Sequence, residues 1–268
     1  MTRLRVVLLR VAVNLYGYLV LAAGIAVLFV ALAPIMLTFG RFVPAMRRGY
    51  ALVIHRFIRL YFAAFPYLRI EVTGRENLPE GGGYILVGNH LSWLDPVIVI
   101  SLLSRVCGAA KPYLFRVPLL ATMAGLAGFF PIDPDSRRDL DRTRRLCRNA
   151  EREGSRILFF PEGTRSRDGR VGPFTRGAFR MAAEHGLRLQ PFLIRGSNEF
   201  IRPGHAFSRA ARPIVVRVHF LPGRPAPEPG SLGRADIRRM AEEERARIAE
   251  AIEAFDAGRE SEASGEPL

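Results

Sequence analysis

At 268 residues the chain is long enough for one α/β domain with a buried core and an appended element. Hydrophobic residues make up 49% against 24% charged residues, so apolar surface is concentrated somewhere rather than spread evenly. The net charge of +14 implies an anionic partner, and the absence of any nucleic-acid module signature, with arginines beside the longest apolar segment, favours lipid over nucleic acid.

In chain order, residues 11–39 carry no charged side chain. At about 1.5 Å per residue this run exceeds the roughly 30 Å hydrocarbon core of a bilayer, and it predicts a membrane-embedded helical element. It is too long for the apolar region of a signal peptide and lacks a small-x-small exit. Gly17, Gly24, Pro34 and Gly40 permit a bend. Arg3, Arg5 and Arg10 precede the run, and Arg41, Arg47, Arg48, Arg56 and Arg59 follow it. The positive-inside rule puts the heavier side, and the rest of the chain, at the cytoplasmic face of the cell inner membrane. A helical hairpin dipping into one leaflet fits the two basic flanks equally well. Residues 50–68 alternate apolar and aromatic residues with His55, Arg56 and Arg59, which suits a helix at the headgroups or a core helix alike.

Beyond Tyr67 the pattern becomes α/β. Strands are expected at 68–73, 84–88, 156–160, 189–194 and 213–221, helices at 96–104, 139–153, 175–185 and 235–255, and a helix with loop ends within 111–132. Gly154 and Gly186 close two of these helices, and the last ten or so residues read as disordered. The organisation is then a membrane-anchoring segment over 1–66, an α/β domain over 67–232, and a C-terminal helix and tail over 233–268.

Two motifs can carry chemistry. In Asn89-His90-Leu91-Ser92-Trp93-Leu94-Asp95-Pro96, a strand ends just before His90, and Asp95-Pro96 reads as a helix N-cap followed by proline at the first helical position. A short loop there can return the Asp95 carboxylate to the imidazole, so that one ring nitrogen donates to Asp95 and the other is a base for a substrate hydroxyl. The same residues also suit a plain helix cap and a turn. In Phe160-Pro161-Glu162-Gly163-Thr164-Arg165-Ser166, a strand delivers a carboxylate, a glycine, two hydroxyls and a guanidinium into one loop. Such a loop can grip phosphate, or it can be a solvated turn. Lys111 is the sole lysine of the chain. Cys107 and Cys147 lack disulfide-framework or zinc spacing, and His55, His185, His205 and His219 are scattered, so no metal is expected.

Asn-His-x4-Asp, followed seventy residues after the histidine by Phe-Pro-Glu-Gly-Thr-Arg-Ser, resembles the glycerolipid acyltransferase family of 1-acylglycerol-3-phosphate acyltransferase type. Pro173-Phe174-Thr175-Arg176-Gly177-Ala178-Phe179 and Gln190-Pro191-Phe192-Leu193-Ile194 resemble two further segments of that family. The resemblance implies a mixed sheet flanked by helices, and acyl transfer from acyl-CoA or an acyl carrier protein to a lysophospholipid in the membrane, without a cofactor. By resemblance His90 is the general base and Asp95 its orienting carboxylate, while Glu162, Gly163, Thr164 and Arg165 bind the acceptor and Lys111 supplies a second cation to its phosphate. The chain departs from the family at Pro112-Tyr113, where an acidic residue is common, and at Asp133-Pro134, where Asp-Arg is common. Those departures bear on the headgroup, leaving a lyso-ornithine lipid as an alternative acceptor. A thioesterase using water, and a non-catalytic binder of anionic lipid, are the readings from other classes.

Overall fold

The computed structural model describes residues 3–39, 44–65, 67–133, 136–200 and 213–264. Two long helices, α1 (Arg3–Phe39) and α2 (Pro44–Ala63), lead into an α/β unit. Its elements run β1 (Leu68–Thr73), β2 (Tyr84–Gly88), α3 (Asp95–Leu102), β3 (Val106–Ala110), α4 (Pro118–Leu126), β4 (Phe129–Pro131) and α5 (Arg137–Glu153). They continue through β5 (Arg156–Phe159), α6 (Gly177–His185), β6 (Arg188–Arg195), α7 (Ser197–Phe200), β7 (Ile214–Phe220) and α8 (Arg234–Ser264).

The sheet order is β1-β7-β6-β2-β5-β3-β4. Strands β6, β2, β5, β3 and β4 are mutually parallel, whereas β7 pairs antiparallel with β6 and parallel with β1, so the sheet is mixed. β2 lies centrally with both faces covered: Tyr84 and Leu86 point into one apolar cluster with Leu94, Ile98 and Phe192, and Ile85 and Val87 point into a second with Ala178, Phe179 and Met240. That double burial is why Tyr-Ile-Leu-Val reads as a continuous apolar run. α1 to α4 cover the first face, and α5, α6 and α8 the second.

The N-terminal helices form an antiparallel hairpin. Tyr16 donates its hydroxyl to the Ala64 carbonyl at 3.1 Å and Tyr61 donates to that of Gly17 at 3.4 Å. α1 runs unbroken past Gly17, Gly24 and Pro34. A Cβ at Gly24 would lie 2.0 Å from the Phe57 ring, and one at Gly17 2.7 Å from that of Phe65, so these glycines admit aromatic rings from α2. Gly40 lies outside the described residues. α2 has two faces: Tyr50, Ile54 and Phe62 are buried, as a core helix requires, while Leu52, Val53 and Leu60 are exposed. His55 ties the middle of α2 to α3 by donating from Nδ1 to the Ile100 carbonyl at 2.7 Å.

Three expectations need correction. β3 was not foreseen, because Val-Cys-Gly-Ala-Ala offers little β-branched signal; the small residues are there for space, a Cβ at Gly108 meeting the Leu158 carbonyl at 2.8 Å. The helix with loop ends expected within 111–132 is present as α4, but its ends are ordered, as a 3-10 turn at Pro112–Arg116 and as β4. Of the tail expected to be disordered, the part up to Ser264 continues α8, and residues 265–268 lie outside the described residues. α8 also belongs to the domain's core: Met240, Ala241, Ile248 and Ile252 are buried, Glu244 is buried between Arg224 and Arg247, and Asp256 pairs with Arg195.

Candidate active site

The two motifs meet at one edge of the sheet, because β2 and β5 are parallel neighbours with Val87 paired to Phe159. Each strand therefore releases its loop at the same rim. Gly88 is obligatory just before the first motif, since a Cβ there would lie 2.4 Å from the Phe192 ring. Asn89 then pairs with β6 as a strand would, its Nδ2 donating to the Ile194 carbonyl at 2.9 Å and its Oδ1 accepting from the Ile194 amide at 2.8 Å.

His90 and Asp95 are in contact. Nδ1 of His90 lies 2.8 Å from Oδ2 of Asp95, and that oxygen also accepts from the amides of Leu91 at 2.6 Å and Ser92 at 2.7 Å. Asp95 is the first residue of α3 and Leu94 holds the N-cap position, one residue before the expectation. The carboxylate turns back over the loop instead of capping forward, and it is fully buried. With an acceptor opposite Nδ1, the neutral ring carries its proton there and leaves the Nε2 lone pair free. Nε2 has no protein partner among the described residues, and the His90 side chain is 17% exposed.

Glu162 holds this histidine from behind. Its Oε1 accepts from the His90 amide at 2.9 Å and its Oε2 from the Gly172 amide at 3.0 Å, so both oxygens are committed to backbone. The Ser166 amide in turn donates to the His90 carbonyl at 2.7 Å. The second motif thus grips the His90 peptide on both sides, a mechanical reason for the two motifs to occur together. Burial pushes the Glu162 carboxyl above its ordinary value of 4.5, and the amides of Gly172 and His90 pull it back only in part. Phe160 completes the support: its ring stacks on the imidazole with centroids 4.1 Å apart and planes 17° from parallel.

The remaining motif residues face outward. Gly163 has φ +68°, a conformation that favours glycine, and no atom lies within 4 Å of the Cβ position, so the need there is conformational and the space beside it is open. Thr164 is exposed and Arg165 half-buried. The Arg165 guanidinium has no hydrogen-bond or ion-pair partner among the described residues. Lys111 is exposed and directly follows β3, whose Gly108 pairs with Leu158 of β5; it emerges at the same rim, one strand beyond Glu162. Ser166 and Asp168 fold the loop back, Asp168 accepting from the Ser166 hydroxyl and the Arg170 amide at 3.0 Å each. Among the described residues no group of three or more His, Cys, Asp or Glu side chains converges as a metal site requires. Asn89, Phe160 and Gly172 are supporting residues to which motif reading gave no role: Asn89 and Phe160 stand in the two motifs, Phe160 directly after β5, whereas Gly172 had no signal.

A family model described as Acyltransferase matches residues 69–195, the segment that contains every residue of this site. Residues 69–195 form an acyltransferase-family domain of the glycerolipid type. Among curated members, a chloroplastic 1-acyl-sn-glycerol-3-phosphate acyltransferase of Brassica napus is 33% identical over 189 residues, covering 69% of this chain and 54% of that protein. A 1-acyl-sn-glycerol-3-phosphate acyltransferase of Borreliella burgdorferi is 30% identical over 153 residues, covering 57% of this chain and 61% of that protein. The chain spans about half the length of the plant relative it matches. The acyltransferase fold extends over nearly the whole chain: the crystal structure of the 1-acyl-sn-glycerophosphate acyltransferase from Thermotoga maritima superposes with a TM-score of 0.68, at 23% identity, covering 95% of this chain and all of that one.

Proposed function

We propose that this chain transfers a fatty acyl group from an acyl thioester to the free hydroxyl of 1-acyl-sn-glycerol-3-phosphate, giving phosphatidic acid and a free thiol. What carries the reading is one imidazole, oriented through Nδ1 by a buried carboxylate and open at Nε2, at the same rim as a guanidinium with no partner among the described residues. Nε2 takes the proton of the acceptor hydroxyl as its oxygen attacks the thioester carbonyl. The tetrahedral adduct collapses with cleavage of the C–S bond, and the departing sulfur receives the proton held on the imidazolium. Asp95 stabilises that imidazolium, and general-base assistance of this kind is worth about 10²–10⁴-fold. Arg165 and Lys111 bind the acceptor phosphate, Arg165 by its bidentate fork, beside the open backbone at Gly163 and Thr164. Glu162 acts through His90 as a positioning residue. The chemistry needs no cofactor; acyl-CoA or acyl carrier protein is the donor substrate.

The membrane supplies the acceptor. The stretch Val7–Val27 is apolar enough to cross a bilayer by length and composition, with mean hydropathy 1.7 and 11% of its window buried. α1 packs along α2, and its Val13 joins the domain's core with Phe62 and Phe65. That tie to the domain favours a hairpin lying in one leaflet over an upright span, with the catalytic rim at the cytoplasmic face of the inner membrane. The test presents purified protein with a labelled acyl thioester and a panel of acceptors. Transfer to 1-acylglycerol-3-phosphate, and weak transfer to acceptors without phosphate, is expected. Thioester cleavage that needs no acceptor would instead identify a thioesterase, and equal use of a lyso-ornithine lipid would remove phosphate recognition.

A further inference from the structure

We infer that the short segment between β3 and α4 is a second membrane contact, seating the catalytic rim in the headgroup layer of an anionic bilayer. This rests on the reading of the α1–α2 hairpin as a membrane element. Among the described residues, every large hydrophobic side chain left exposed lies in α1, in α2 or in this segment. Here Tyr113 is 54% exposed, Leu114 36% and Val117 48%, and no other described residue of the α/β unit joins them. The patch is also continuous with the hairpin, since α4, which follows directly, packs on both α1 and α2.

Its charge suits the same partner. Lys111 and Arg116 bracket the apolar side chains, both are exposed, and neither has a side-chain partner among the described residues. No acidic residue occurs between Asp95 and Asp133. Long cationic side chains can lay their stems on the acyl boundary and their heads among phosphates, while the tyrosine, Leu114 and Val117 enter beneath. Phe115 turns the other way into the core cluster, which anchors the segment so that its neighbours must face out. An acidic carrier protein would satisfy the cations but would leave the apolar side chains without a reason. Because Lys111 opens this segment and shares the rim with His90, contact here sets the height of the catalytic histidine above the bilayer.

The test attaches an environment-sensitive fluorophore to the full chain at Leu114→Cys, at Val27→Cys on the hairpin, or at Glu228→Cys in the linker after β7; Cys107 and Cys147 are both buried. Each protein is mixed with phosphatidylcholine–phosphatidylglycerol vesicles whose acyl chains are brominated near the carbonyl. Loss of fluorescence at 114 and at 27, with none at 228, is expected. Loss at 27 alone overturns the inference and leaves the hairpin reading intact; loss at neither overturns both. A response at 114 to acyl carrier protein and none to vesicles overturns it in favour of protein docking. A functional arm uses Leu114→Asp with Val117→Asp. Transfer to acceptor in vesicles should be lost, while transfer to a monomeric short-chain acceptor is retained, and equal activity in both formats contradicts the assignment.

Discussion

Replacing Asp95 with asparagine isolates the charge from the geometry. The Asp95 oxygen that meets Nδ1 of His90 also accepts from Leu91 and Ser92, while the other oxygen is buried without a partner among the described residues. An asparagine oxygen in the first position keeps all three bonds and the same imidazole tautomer, and its NH2 falls in the unpartnered place. The fold should survive, with a cost of about 1–3 kcal/mol for a buried unsatisfied donor. What is lost is the negative charge facing the imidazolium. Two unit charges about 4 Å apart interact by about 4 kcal/mol at an effective dielectric constant of about 20. That corresponds to roughly a thousandfold in rate. Asp95→Asn should therefore lower kcat about a thousandfold with the acceptor KM nearly unchanged, read by thiol release from an acyl thioester. Turnover within about tenfold of the parent, in protein that melts cooperatively, would refute the claim that the carboxylate works through charge.

Phe160→Leu removes the ring stacked on His90, and with it about 0.5–1.5 kcal/mol of orienting contact, so kcat should fall severalfold to tenfold with little change in melting temperature. Arg165→Lys should raise KM for a phosphate-bearing acceptor more than for one without phosphate, because the bidentate fork is lost. Glu184 provides a pH test away from the site. Burial pushes its carboxyl up, but hydrogen bonds from Arg144 and Arg180 outweigh that, and the net shift is below 4.5. A depressed carboxylate adds stability above its unfolded value and loses it as pH falls through the folded one. Glu184→Gln should accordingly lower the melting temperature near neutral pH, with the gap to the parent closing as pH drops below 4.5.

Much of the fold was legible because its strands bury both faces or its helices carry strong end signals. β1 and β2 fall at their expected residues, and α5 begins at a Ser136 cap and ends at Gly154 with φ +62°. β3 escaped notice because its residues are chosen for smallness, and a sheet neighbour supplies the order that composition lacks. The last turns of α8 escaped because a charged stretch resembles a solvated tail, and Asp256, just past the expected end, meets Arg195 only in the folded domain. At the site, local spacing foretold the His90–Asp95 pair, since a carboxylate five residues on can close a loop by itself. The clamp of Glu162 and Ser166 on the His90 peptide depends on β2 lying beside β5, a long-range fact that no local pattern carries. A carboxylate in a loop reads as a ligand-binding group, whereas here both of its oxygens serve the backbone.

Nε2 of His90 is held to be the base that deprotonates the lipid hydroxyl, and replacing that ring tests the claim most directly. In single-turnover assays with labelled acyl thioester and 1-acylglycerol-3-phosphate, His90→Ala should form ester at least about a hundredfold more slowly while still binding vesicles. Ester formation at the parental rate in that variant would contradict the mechanism.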